Sequence, residues 1–304
     1  MKEMLRQIPE LPGSRPLEIG DKPLLDWLLR LNPPLTSEMT FTNLFAWNRS
    51  YPIELGRIAD TLLLWRGHED KRILLPPLGY LDSESVRRAF QWSCLHGCKP
   101  EFGRVAQSVV QMLKSADPNL EIIEDRDNAD YVYLQQDLAT LAGRRYSAKR
   151  NQIKKFRNAV QAQYRPIGPD LIPACLELQK QWCDERECAI HFDLNAEDQA
   201  INTVLENWEH LGVIGGALMH GPRVIALAIA EPLSEGVAVI HHEKGDTKYP
   251  GVYQAINQMF STEALQGFEY LNREQDMGHE GLRKAKMSYQ PHHMVPKFTV
   301  RYPE

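Results

Sequence analysis

Cysteine is scarce and irregular in this chain. Five among 304 residues, an odd number without even spacing, exclude the disulfide framework that staples small secreted domains. Cys94-Leu95-His96-Gly97-Cys98 has too few ligands at the wrong spacing for a structural zinc, and no second Cys or His pair stands at a partner distance, so no metal is expected. Long apolar runs are missing as well. The longest, such as Val224-Ile225-Ala226-Leu227-Ala228-Ile229-Ala230, fall far short of the roughly 20 residues that cross a bilayer. The start, Met1-Lys2-Glu3-Met4-Leu5-Arg6, puts charges where a secretory signal needs an apolar stretch. Together these predict a cytoplasmic protein with no transmembrane segment and with reduced thiols, Cys183 and Cys188 on a helix among them. Short-period repeats and low-complexity tracts are absent, which excludes solenoids and propellers. Positive charge is not in excess either: 35 Lys and Arg against 40 Asp and Glu leave a net charge of −5. The molecule has no general attraction to nucleic acid or anionic lipid, and any polyanion site must be a local patch.

What is present is an ordinary folded composition, 43% hydrophobic and 25% charged, long enough for two domains at about 150 residues each. In the first half, 24–31 reads as a helix ended by Asn32-Pro33-Pro34, and Phe41-Thr42-Asn43-Leu44-Phe45-Ala46-Trp47 has apolar residues at helical spacing. Strands follow at 62–65 and 73–76, helices at 83–96 and 106–115, and strands at 120–123 and 131–134.

The strongest charge feature comes next. Residues 143–157 carry seven basic side chains and no acidic one. At helical spacing Ile153, Phe156 and Val160 share one face while Arg150, Lys154 and Arg157 share another, an amphipathic helix with a basic outer stripe. Arg144, Arg145, Lys149, Arg150, Lys154 and Arg157 are candidates for contact with nucleic-acid or other phosphates. The alternative is that Arg144, Arg145 and Lys149 pair with carboxylates such as Glu124, Asp125 and Asp127. The organisation predicted is a first domain over 1–143, a basic connecting helix over 144–165, and a second domain over 166–304.

The second half reads as helices 171–187 and 196–211, strands 213–218, 224–230 and 237–242, a helix from Pro250 to 266, strand 268–273, helix 282–290 and strand 295–300. This order, with Lys248-Tyr249-Pro250-Gly251-Val252-Tyr253 ahead of the helix, resembles the Gcn5-related N-acetyltransferase fold, in which that helix N-terminus meets the phosphates of acyl-coenzyme A. Tyr253 stands where the family motif has a glycine or alanine. The resemblance becomes more specific in the tail from Tyr270 to Pro291, in the stretch Arg145 to Phe156, and in 41–47. These are similar to a bacterial family related to the C-terminal domain of phosphatidylglycerol lysyltransferase. That resemblance implies an α/β (α+β) architecture of two tandem acetyltransferase-like domains, each a mixed, mostly antiparallel sheet flanked by helices. It also implies transfer of an aminoacyl group from aminoacyl-tRNA to an amine or hydroxyl of a lipid head group, peptide or small molecule. Two other readings stay open: an acyl-coenzyme A-dependent N-acetyltransferase, and a non-catalytic module that binds RNA or a phosphorylated ligand. No tightly bound cofactor is expected, only aminoacyl-tRNA or acyl-coenzyme A as donor, and the oligomeric state is not legible.

Acyl transfer needs an electropositive place for the donor, an oxyanion donor and a route for a proton. If 268–276 is a strand, Asn272, Glu274 and Asp276 point one way and Arg273 the other. Glu274 or Asp276 would then bind a substrate ammonium or act as base. His241 is a candidate proton acceptor at the end of the third meander strand, with Lys244 beside it as a substrate contact. Tyr253 is either a phenolic donor to an oxyanion or a core filler. Arg283, Lys286 and Gln290 share one helix face and Leu282, Ala285 and Tyr289 the other, so Arg283 and Lys286 could meet a phosphate. Lys248, Gly251, Asn272, Arg273 and Tyr289 complete the candidate substrate contacts. His292-His293 reads as structural.

Overall fold

The structure is a computed structural model that describes residues 2–68 and 71–303. The chain divides into two compact units. One comprises residues 2–130, 275–278 and 295–303, the other 131–274 and 279–294. The basic segment 144–165 therefore lies inside the second unit rather than between domains. The boundary expected near residue 143 falls before Tyr131, and the chain's last residues belong to the first unit.

The first unit holds a seven-stranded sheet in the order Arg15–Pro16, Ile53–Ile58, Thr61–Arg66, Ile73–Leu74, Glu101–Val105, Phe298–Arg301, Glu121–Glu124. All its pairs are antiparallel except Ile73–Leu74 beside Glu101–Val105. Helices Lys22–Leu31, Phe41–Trp47, Ser83–Leu95 and Gln107–Ala116 match the periodicity in the sequence. Asp82 and Thr40 begin two of them by accepting backbone N–H bonds from Ser85 and Asn43. Strands Ile53–Ile58 and Glu101–Val105 had no strand signal of their own. Each is interrupted by a glycine, Gly56 and Gly103, where a Cβ would strike Leu11 and Trp65, or Ile73. The core packs Trp65 on Trp92 at a centroid separation of 4.0 Å, with Phe90 and Phe102 beside them.

A cluster of charges is buried in this unit. Lys297 Nζ donates to Glu38 Oε2 and Asp130 Oδ1, both at 2.6 Å. Burial drives the Glu38 carboxyl up, but Lys297 and Arg104 outweigh it and hold its pKa below the usual value.

The second unit's sheet runs His293–Val295, Asp130–Leu134, Tyr270–Asn272, Val237–Gly245, Arg223–Ser234, Ile214–His220, Gln163–Pro166. The three-strand meander expected from the sequence is its centre, with both of its pairings antiparallel. Val237–Gly245 and Tyr270–Asn272 run parallel. Helices Ser147–Ala159 and Val252–Glu263 bury Ile153, Phe156, Val252, Ile256 and Phe260 in one core with Leu218, Ala226, Ala228 and Leu271. The alanines of Arg223–Ser234 leave room for these larger helix side chains. Helix Ile172–Glu185 packs on the same meander.

Four expectations fail here. Cys183 and Cys188 are joined in a disulfide. The helix expected over 171–187 stops at Glu185, and the turn that follows brings Cys188 back to the helix end. The helix expected over 196–211 is two, Phe192–Glu206 and Trp208–Leu211. The strand expected over 295–300 is split: His293–Val295 lies in the second sheet and Phe298–Arg301 in the first.

Candidate functional site

The parallel pair Val237–Gly245 and Tyr270–Asn272 lasts three residues, ending at Val239 opposite Asn272. Beyond that point, among the described residues, the longer strand has a ladder partner only on its other side, where it follows Arg223–Ser234 as far as Ala226 opposite Gly245. The expected strand to Asp276 is not formed. Asn272 Oδ1 accepts the N–H of Glu274 at 2.8 Å, and Glu274 takes a φ of +58°, so the alternation that would align Asn272, Glu274 and Asp276 is lost. Asp276 belongs to the first unit, where it pairs with Arg126 at 3.3 Å.

Two ion pairs cross from the unpaired length of the strand to residues 273 and 274. The register jumps between the pairs Ala230/Ile240 and Ile229/His242, so His241 is the extra residue of a bulge. Its Nδ1 lies 2.8 Å from Glu274 Oε1 and its Nε2 lies 2.8 Å from Glu231 Oε1. Burial alone would strip the ring of its proton, but hydrogen bonds and charge from Glu231 and Glu274 overcome it and push the pKa up to about 10. His241 is thus an imidazolium donating both N–H groups near neutral pH. The proton acceptor expected from the sequence is a clamp between two carboxylates.

The bulge also reverses the alternation after it. Glu243 pairs with Ala228 and faces the helix Val252–Glu263, where Asn257 Nδ2 donates to it at 2.9 Å. Arg273 Nη2 donates to the other Glu243 oxygen. The guanidinium lies against the rings of Tyr289, at 4.8 Å, and Tyr133, at 5.6 Å. Its Nε and Nη1 are buried without hydrogen-bond partners among the described residues. Burial pushes the Tyr289 phenol up to about 12. Lys149 Nζ stands 4.2 Å from the Tyr289 ring centre, and burial and then Arg273 lower its pKa.

On the opposite face, Lys244 is buried with Nζ 2.7 Å from Glu197 and 3.6 Å from the centre of the Trp182 ring. Burial lowers its pKa against the pull of Glu197. Trp182 Nε1 donates to the Tyr253 oxygen at 3.0 Å. His242 is buried beside His241 and Lys244, and burial first, then those two charges, keep it neutral.

The helix Glu280–Met287 turns the other way round from the sequence expectation. Lys286 is buried while Leu282 and Ala285 are exposed, because Lys286 Nζ is spent on the Arg273 carbonyl; Tyr289, just past the helix, is buried as its apolar face predicts. The Tyr133 hydroxyl donates to the Lys286 carbonyl at 2.9 Å, locking the helix end onto the sheet. Arg283 is half-buried. Lys286 therefore does not join it in an open phosphate contact.

Gly251 precedes the helix Val252–Glu263 with a φ of +92°, and a Cβ there would stand 2.7 Å from the Gln152 carbonyl oxygen. The close approach that demands glycine is to the basic helix. Lys248 is exposed and pairs with Glu185 at 2.6 Å. Along the basic segment, Arg144, Arg145, Arg150, Lys154 and Arg157 are exposed. Arg145 pairs with Asp137 at 2.7 Å, rather than with the carboxylates at 124–127. Arg150 donates to the carbonyls of Leu141 and Gly143. Arg150, Lys154 and Arg157 line a cavity of about 240 Å³ with Ile153, Asn158 and Gln258, and no carboxylate.

Glu231, Trp182, Glu197 and Asn257 were not picked out by the sequence. Glu231 directly follows the apolar run 224–230, a buried carboxylate that strand pairing alone could have linked to His241. Trp182, Glu197 and Asn257 left no signal.

The chain is similar along almost its full length to a conserved protein of unknown function from Bacteroides thetaiotaomicron VPI-5482, at 31% identity and a TM-score of 0.87, covering 96% of this chain and 99% of that one. Two more distant structures share the fold. The L-PGS of Bacillus licheniformis has 12% identity and a TM-score of 0.64, with 93% of each chain covered. A tandem GNAT protein from the clavulanic acid biosynthesis pathway has 8% identity and a TM-score of 0.51, with 96% of this chain and 99% of that one covered. The architecture is accordingly the tandem acetyltransferase-like one. No curated protein matches the chain by sequence. Among the described residues, no helix is long and apolar enough to cross a membrane. The profile of the phosphatidylglycerol lysyltransferase C-terminal family matches residues 30–301, so the chain belongs to that family.

Proposed function

We propose that this protein transfers an aminoacyl group from aminoacyl-tRNA to an amine or hydroxyl acceptor, with the donor's phosphates on the outer face of the basic helix. The family to which the chain belongs is named for a lysyltransferase, and the resemblance seen in the sequence implies that donor. The observation that carries the choice of donor is the groove of Arg150, Lys154 and Arg157, three exposed cations with no lining carboxylate. Such a site neutralises a phosphodiester chain without reading its sequence. Acyl-coenzyme A would instead need its pyrophosphate close to the backbone at the start of the helix Val252–Glu263. There the Gln152 carbonyl already lies against Gly251, and Tyr253 adds bulk in the first turn.

The strand gap supports the same reading. His241 and Arg273 are cations set among Glu231, Glu243 and Glu274, a buried set of charges suited to orienting an amine-bearing substrate. The test is binding and single-turnover transfer with total charged tRNA, and separately with acetyl-coenzyme A, at two salt concentrations. The expected result is salt-sensitive tRNA binding, loss of the esterified amino acid in the presence of an acceptor pool, and no retention of the coenzyme. Binding of acetyl-coenzyme A alone would reverse the choice of donor. Tight tRNA binding with the ester intact under every acceptor would leave a binding module in place of an enzyme.

A further inference from the structure

The hydrogen-bond polarity at the half-buried Tyr253 differs from that at three other tyrosines. Tyr133 donates its hydroxyl to the Lys286 carbonyl, Tyr146 to the Tyr289 carbonyl, and Tyr302 to the Asp117 carboxylate. In each the phenolic proton is used up by the fold. Tyr253 is the reverse. The indole of Trp182 can only donate, so the 3.0 Å contact from Trp182 Nε1 uses a lone pair of the Tyr253 oxygen. Among the described residues the phenolic hydrogen has no acceptor. The half-buried hydroxyl is thus held by its oxygen, with its proton left available for transfer.

Trp182 is itself held firmly. Lys244 Nζ stands 3.6 Å from the centre of one of its rings, Lys244 is anchored by Glu197, and the Arg186 guanidinium lies 4.6 Å from the indole. Tyr253 is in the first turn of the helix Val252–Glu263 and packs beside Gly245, at the end of the strand that borders the gap. The charged groups around the phenol are Arg186 beyond the helix Ile172–Glu185, Glu197 on Phe192–Glu206, and Lys244 on the strand.

We infer that the Tyr253 hydroxyl gives its proton to the leaving oxygen during acyl transfer, and that Trp182 is its positioning residue; this rests on the transfer reading above. In the step, the acceptor nitrogen forms a bond to the ester carbonyl carbon and the bond from that carbon to the ribose oxygen breaks. The Tyr253 proton passes to the ribose oxygen as it leaves. The acceptor nitrogen, positively charged after attack, returns one proton to the phenolate, so the residue ends as it began and no further reactant is consumed. The Trp182 N–H stabilises the phenolate for the interval between the two transfers. Burial raises the Tyr253 pKa, with Trp182 and the Gly245 backbone pulling it back, so the group carries its proton at neutral pH.

The experiment is single-turnover transfer from charged tRNA by the wild-type chain, Tyr253→Phe and Trp182→Phe over a range of pH, with tRNA binding as the check on folding. Tyr253→Phe should lose about 10²- to 10⁴-fold in rate at unchanged tRNA affinity. With the trifluoroethyl ester of the same amino acid, whose leaving group needs less protonation, that loss should shrink. Trp182→Phe should move the alkaline fall in rate to higher pH, because the phenolate loses a donor, an effect that mere packing would not produce. A Tyr253→Phe rate within threefold of wild type, or an equal loss with both esters, overturns the role while leaving the transfer reading intact. Should Tyr253→Phe fail to fold, an unmoved alkaline limb in Trp182→Phe overturns it. Wild-type protein that consumes no ester overturns the transfer reading and this role with it.

Discussion

Gly251 sits directly on the backbone of Gln152: a Cβ at position 251 would lie 2.7 Å from the Gln152 carbonyl oxygen and 3.1 Å from Phe156 Cβ. The contact joins the start of the helix Val252–Glu263 to the basic helix Ser147–Ala159. Backbone atoms cannot yield as a flexible side chain can. The φ of +92° adds a second objection to any other residue. Gly251→Ala should therefore destabilise the fold by about 1–3 kcal/mol from the strained backbone, with the clash adding to it. Gly20→Ala, where a Cβ meets nothing within 4 Å, should stay within about 0.5 kcal/mol of wild type. Urea denaturation of the two variants side by side checks this. Equal midpoints would mean that the helices are not in this contact.

The clamp on His241 makes stability depend on alkaline pH. Its folded pKa, about 10, lies above the ordinary histidine value of 6.5. A group with a raised folded pKa adds stability in full below its unfolded pKa and loses it as pH rises through the folded one. The contribution should be complete below about pH 6.5 and decline by about 1.4 kcal/mol per pH unit until pH reaches about 10. His241→Gln removes the titration. Denaturation midpoints of wild type and variant, followed from pH 6 to pH 10, should converge as pH rises. Parallel curves would show that the imidazolium is not held by Glu231 and Glu274.

The difference between this clamp and the basic helix shows what could be read in advance. The helix was legible because Ile153, Phe156 and Val160 recur at helical spacing, and local period is a property of sequence. The meander was legible for the same reason, through alternation and turns. His241 was noticed as a residue, but its partners come from positions 231 and 274, and the bulge that frees it from the ladder has no sequence signature of its own. Equally hidden was the division of the chain. Asp130–Leu134 and Phe298–Arg301 read as ordinary strands, yet each lies in a different sheet from the strands nearest to it in sequence, and the choice of sheet depends on long-range pairing. The helix Glu280–Met287 misled because Lys286 is buried for a backbone carbonyl, which reverses the usual sense of an amphipathic face.

Lys297 should be the most sensitive single charge in the first unit. It is fully buried with Glu38 and Asp130 within 2.6 Å and adds longer contacts to Ser37 and Gln275. Removing one member of a buried charge cluster leaves the others without compensation, at a cost of about 3–5 kcal/mol. Lys297→Met should lower the unfolding free energy by that amount, and adding Glu38→Gln and Asp130→Asn should restore part of it. A restoration fits the desolvation account, since neutral amides no longer need the cation. If the triple variant is no better than Lys297→Met, the cluster acts through packing and the electrostatic explanation is wrong.

The Cys183–Cys188 bridge gives a count that can be made directly. Cys94, Cys98 and Cys175 are free, so the denatured, unreduced protein should titrate three thiols, and the reduced protein all five cysteines. The bridge closes a short loop, five residues apart in sequence, and by chain entropy such a loop adds about 2 kcal/mol. Trp182 is the residue before Cys183, so reduction should also be seen at the Trp182–Tyr253 contact, as a change in indole fluorescence accompanying the loss of stability. Cys183→Ser and Cys188→Ser should reproduce the reduced protein in both respects. Five titratable thiols before reduction would mean that the turn at 186–188 is held without the bond, and that the thiols first expected from the sequence are the true state.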